Sequence, residues 1–168
     1  FYLSDDTLSA YQKNLTATLI FLFAAITDWL DGYLARRLNQ TSDFGAFIDP
    51  VADKLIVIAA LILLVELGRV ESIIAFIIIA REFTISSLRE WMATLGKSGG
   101  IAVAFIGKLK TTMQMIAILF LLYYENILFI PVATIGKILI YIAALLTIIS
   151  MIYYLKIAFK ILKKNKDY

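Results

Sequence analysis

The stretch FIDPVADKLIVIAALILLVEL, residues 47–67, sets two aspartates, Asp49 and Asp53, four apart and follows them with an unbroken apolar run from Leu55 to Val65. Its length is near the ~20 residues that carry a helix across the hydrocarbon of a bilayer. Four other stretches match it: Tyr11 to Trp29, Ser72 to Trp91, Ala102 to Tyr124 and Phe129 to Phe159. Of the 168 residues, 61% are hydrophobic, more than a soluble domain of this size needs to fill one core. Leucine, isoleucine and alanine dominate the runs without the alternation of barrel strands, and long helices satisfy their own backbone in lipid. The expected fold is all-α and integral to a membrane, a helical bundle with five transmembrane helices. No linker rich in Pro, Gly or Ser and no internal repeat divides residues 1–168, so one domain is expected.

If the helices alternate in direction, Arg36, Arg37, Lys54, Arg89, Lys97, Lys108, Lys110 and the lysines of the tail fall on one side. The other side carries chiefly Arg69 and Lys137 among Asp5, Asp6, Glu66, Glu71 and Glu125. The positive-inside rule makes the Arg36 side cytoplasmic and puts residue 1 outside. A bundle entering from outside leads one to expect a further span before residue 1. The net charge of +3, gathered on the cytoplasmic rim, suits anionic lipid head groups better than nucleic acid.

Histidine and cysteine are both absent. Thiolate nucleophiles and zinc sites of the imidazole or thiolate kind are thereby excluded, and any bound metal must be held by oxygen, as magnesium, manganese or calcium are. Upstream of the opening stretch lies DWLDGYLAR, residues 28–36. On helices, Asp28 and Asp31, three apart, share a face, as do Asp49 and Asp53. Four carboxylates at the ends of two neighbouring spans are costly unless cations neutralise them. Arg36 and Lys54 can do part of this, and one hard divalent ion, or two bridged by carboxylates, suits the donor set. Gly32, Ala35 and Gly45 at adjacent positions permit close helix contact or a bulky ligand. The plainer reading makes these aspartates solvated helix ends paired with nearby cations.

Residues 28–53 match D-x-x-D-G-x-x-A-R, a spacer, and G-x-x-x-D-x-x-x-D at every motif position. The chain thus resembles the CDP-alcohol phosphatidyltransferase family. That resemblance implies six transmembrane helices, the first of them absent from this chain, together with a homodimer and two divalent cations, Mg2+ or Mn2+, beneath the CDP pyrophosphate. Carried over by position, Asp28, Asp31, Asp49 and Asp53 would be metal ligands and Asp53 also the catalytic base. Gly32, Arg36 and Ser42 would contact the CDP moiety of CDP-diacylglycerol. The resemblance also implies a bacterial plasma membrane, with the active site facing the cytoplasm.

The acceptor is addressed by AREFTISSLREW, residues 80–91, and GKLKTT, residues 107–112. Arg81 falls well inside a span and Arg89 lies two turns further along the same helix. An intramembrane arginine marks either a ligand or a paired acid, and Glu82 and Glu90 are both available as that acid. Arg89, Lys108 and Lys110 can also be read as snorkelling side chains. Cations converging near four aspartates make sense if a second anionic substrate is drawn in, and a phosphate suits arginine's planar donors. Within the family, the wording of both stretches resembles the branch whose acceptor is glycerol 3-phosphate, which would assign Arg81, Arg89, Lys108 and Lys110 to its phosphate. Two rivals stand beside this reading: another acceptor such as inositol phosphate, and a divalent-cation transporter whose carboxylates line an ion path.

Overall fold

The structure, a computed structural model, describes residues 9–38, 43–94 and 101–166; within these helices the side chains of 31–38, 43–50, 101–106 and 160–166 and a few others, including Asp28, Asp53, Arg89 and Lys108, lie outside the description. Five helices follow in order: α1 (Ala10–Leu38), α2 (Asp43–Glu66), α3 (Ser72–Thr94), α4 (Ile101–Tyr123) and α5 (Val132–Lys166). Among the described residues there is no strand, only an isolated bridge between Ile127 and Ile130. The all-α expectation holds. The helices overlap the five apolar stretches, with two differences. α1 runs on past Trp29 through Leu38, carrying Asp28 to Arg36 on one continuous helix. Phe129 to Pro131, expected within the last span, belong to the turn before α5.

Local signals set the helix ends. Ser9 Oγ accepts from the Gln12 backbone at 3.3 Å while Gln12 Oε1 accepts from the Ser9 backbone at 2.9 Å, a reciprocal cap that starts α1. α2 stops at Gly68, whose φ of 65° lies in the left-handed region. There the Gly68 N–H donates to the Val65 carbonyl at 3.0 Å and the Arg69 N–H to the Leu64 carbonyl at 2.9 Å, a Schellman closure. α4 ends on a left-handed residue too, but it is Tyr124, at φ 63°, with its N–H donating to the Phe120 carbonyl at 2.9 Å.

Packing centres on α4 and α5, which make the most extensive helix pair; α3 packs on α5, α1 on α4, and α2 touches α1, α3 and α4. The buried cluster takes Leu61 and Leu64 from α2, Ile78 from α3, Ile118 and Leu121 from α4, and Ile140 from α5. Small residues are buried where α4 and α5 pack: Ala117 on α4, and Gly136, Ala143, Ala144, Thr147 and Ser150 along α5. A Cβ on Gly136 would stand 3.0 Å from Phe120 Cβ and 3.0 Å from Leu121 Cγ. Large apolar side chains also point outward, among them Phe23, Phe76, Phe83, Leu145 and Phe159. By length and composition one helix segment among the described residues, Val132–Lys156, is long and apolar enough to cross a membrane; Leu109–Tyr123 is apolar but shorter. α3 carries Arg81, Glu82, Arg89 and Glu90 within its apolar length.

Candidate active site

Arg69 fixes which helix ends lie together. Its Nη1 donates to the carbonyls of Leu121 and Leu122, both at 2.9 Å, and its Nη2 to Asn14 Oδ1 at 2.6 Å. Its guanidinium carbon stands 4.2 Å from the centre of the Tyr124 ring. One side chain after α2 therefore caps the last carbonyls of α4 and ties them to the first turns of α1. Burial lowers the Arg69 pKa below the ordinary arginine value, opposed by Tyr124 and Glu125. Sequence reading placed Arg69 on the outer rim and missed this role. The nearest signal was a lone cation just past a glycine helix stop.

From that end α1 and α4 have opposite directions, as do α2 and α3. Asp28 and Asp31 come late in α1, whereas Asp49 and Asp53 come early in α2, so all four lie toward the far end of the bundle. Each pair keeps helical register, at spacings of three and four. Gly32 and Arg36 lie further along α1. The side chains of the four aspartates and of Arg36 lie outside the described residues, as does Ser42 entirely. Four carboxylates, in a chain with no histidine or cysteine, would suit hard divalent cations if their side chains converge.

Of the four cations assigned to a substrate phosphate, the structure brings two together. Arg81 on α3 and Lys110 on α4 are both buried, with 5% and 1% of their surface exposed. Glu82 joins them: its Oε1 accepts from Arg81 Nη1 at 3.1 Å and also from Lys110 Nζ. Arg81 Nη2 donates to Ser150 Oγ on α5 at 3.3 Å, and the Ser150 hydroxyl in turn donates to the Thr147 carbonyl at 2.9 Å. Arg81 Nε, Gln114 Oε1 and Thr147 Oγ1 are buried without a hydrogen-bond partner among the described residues. Arg89 and Lys108 lie on the same two helices with side chains outside the description. Glu82 was visible in the sequence as one of two acids near Arg81, but its reach to Lys110 was not. Gln114, Thr147 and Ser150 escaped the sequence reading, although each is a polar residue inside an apolar run, and Gln114 stands one helical turn after Lys110.

Residues 3–154 match the family model for CDP-alcohol phosphatidyltransferases, and the chain belongs to that family. It is similar to the CDP-diacylglycerol–glycerol-3-phosphate 3-phosphatidyltransferase of Haemophilus influenzae, at 57% identity over 94% of this chain and 85% of the relative. The protein of that name from Wigglesworthia glossinidia brevipalpis is 47% identical over 98% of this chain and 87% of its own length. That from Shigella flexneri serotype 5b is 51% identical over 84% of this chain and 78% of its own.

Proposed function

We infer that the protein transfers the phosphatidyl group of CDP-diacylglycerol to glycerol 3-phosphate, giving phosphatidylglycerophosphate and CMP. The observation that carries this reading is the 57% identity, over 94% of the chain, to a relative named for that reaction. A hydroxyl oxygen of the acceptor attacks the phosphatidyl phosphorus, the bond from that phosphorus to the bridging pyrophosphate oxygen breaks, and CMP leaves. No covalent intermediate with the protein is needed. Asp53 is assigned the hydroxyl proton, since a carboxylate beside the acceptor can take it as attack proceeds.

Asp28, Asp31, Asp49 and Asp53 are assigned two divalent cations, Mg2+ or Mn2+, on the strength of their helical spacing and of a donor set made only of oxygen. Such ions, when bound, neutralise the pyrophosphate and the charge on the departing CMP. Gly32, Arg36 and Ser42 are assigned to the CDP moiety. Arg81, Arg89, Lys108 and Lys110 are assigned to the acceptor's phosphate, and the junction of Arg81 with Lys110 in the interior supports that part.

All five helices are read as membrane spans, in a multi-pass enzyme of the bacterial plasma membrane whose aspartate end faces the cytoplasm and which works as a homodimer. Support for embedding comes from the outward apolar side chains and from hydroxyls that bond back into their own helix, as Thr18 does to the Asn14 carbonyl and Thr84 to the Ala80 carbonyl, both at 2.8 Å. The arginines and lysines at the aspartate end support the orientation.

The test is a headgroup-resolved product assay on purified enzyme supplied with CDP-diacylglycerol, a divalent metal and either glycerol 3-phosphate or inositol phosphate. Phosphatidylglycerophosphate with stoichiometric CMP is expected from the first acceptor. Product from inositol phosphate alone overturns the acceptor assignment, and cation flux into vesicles without CMP release overturns the enzyme.

A further inference from the structure

We propose that Glu82 is a positioning residue for acceptor binding, holding Arg81 and Lys110 side by side as one seat for a phosphate monoester. The proposal rests on the acceptor reading given above. A single oxygen, Glu82 Oε1, accepts from both cations. The two cations come from different helices and both are sunk in the interior, whereas the Glu82 side chain keeps 23% of its surface exposed and forms the open side of the cluster. Two buried like charges repel strongly where water is scarce and stay in reach of one another only if an anion lies between them. The fork of Arg81 is held on two prongs, Nη1 by Glu82 and Nη2 by Ser150, while its Nε has no partner among the described residues. Glu82 thus fixes the guanidinium plane and leaves a donor unsatisfied, as a preformed oxyanion seat requires.

Removing the carboxylate has opposite consequences under the two simplest roles. A mere competitor for the cations would, on leaving, let an anionic acceptor bind more tightly. A positioning residue would, on leaving, let the cations part and weaken acceptor binding. The test is steady-state kinetics of Glu82→Gln with each substrate varied in turn, run beside the wild type on CDP-diacylglycerol and glycerol 3-phosphate. The expected result is an acceptor KM raised about tenfold or more, with the KM for CDP-diacylglycerol within about twofold of wild type and kcat at saturating acceptor lowered far less than kcat/KM. An unchanged or lowered acceptor KM overturns the proposal, even if thermal stability falls. Should Glu82→Gln not fold, Ser150→Ala, which frees only the Nη2 prong, is read the same way: a several-fold rise in acceptor KM is expected, and no rise overturns the proposal. Failure of the underlying acceptor reading shows separately, because the wild type would then make no product from glycerol 3-phosphate.

Discussion

Replacing Asp28, Asp31 or Asp49 with asparagine keeps the volume of the side chain and removes one negative charge from a set that the proposed reaction needs for two cations. Each substitution is expected to remove nearly all transferase activity while leaving a helical, monodisperse protein, read by product assay beside circular dichroism; activity near wild type at saturating metal in any of the three would refute the shared site. Asp53→Asn should be at least as severe, and binding of CDP-diacylglycerol that survives it would mark Asp53 chiefly as the base. Arg81→Lys keeps the charge but loses the planar fork, and a charge-assisted contact is worth roughly 1.5 to 3 kcal/mol. Acceptor KM should therefore rise about tenfold with CDP-diacylglycerol affinity little changed. If that KM stays put while the melting temperature drops, Arg81 is a structural partner of Glu82 and Ser150. The register of the two aspartate pairs was legible because spacing along one helix fixes it. The Arg81–Glu82–Lys110 junction was not, because Glu82 and Lys110 are 28 positions apart and meet only when α3 and α4 both pack against α5.

At the scale of elements, two glycines set how the helices end and meet. Gly68 sits at φ 65° with nothing within 4 Å of where a Cβ would be, so the obstacle to a side chain there is conformational and not steric. Gly68→Ala is expected to destabilise by about 1–2 kcal/mol, the left-handed penalty for a residue with a Cβ, seen as a lower melting temperature in detergent with activity retained. Gly136 is the opposite case, since the added Cβ meets the Phe120 Cβ and the Leu121 side chain on α4. Gly136→Ala must push α4 and α5 apart locally and is expected to cost about 1–3 kcal/mol. Equal stability of wild type and Gly136→Ala would mean that the α4–α5 contact is looser than described. The five helices were legible as long apolar runs between polar breaks, and the cap at Ser9 and Gln12 has a recognisable spacing. The turn from Phe129 to Pro131 was hidden, because its apolar residues read as a continuation of the helix that in fact begins at Val132.

For the whole molecule, the proposed orientation makes a prediction that the chain is well suited to test, because it has no cysteine of its own. Asn126→Cys, between α4 and α5, should be labelled by an impermeant maleimide added to intact cells, and Asn165→Cys, near the end of α5, only after the membrane is opened. Labelling of Asn165→Cys in intact cells reverses the topology and moves the aspartate end to the outer face. The sequence by itself determined the five helices among the described residues, the absence of histidine and cysteine, the register of the two aspartate pairs and the membership of a family, because each depends on residue type and on spacing along the chain. Tertiary structure alone decided that Arg69 caps α4 and ties it to α1, that Glu82 joins cations from two helices, and that Ser150 on α5 braces Arg81. Apart from the bond between the neighbours Arg81 and Glu82, these contacts span 28 to 69 positions of sequence. No periodicity encodes them; they follow from which faces of the helices can bury apolar area together, and that packing sets where the few charged groups inside must find their partners.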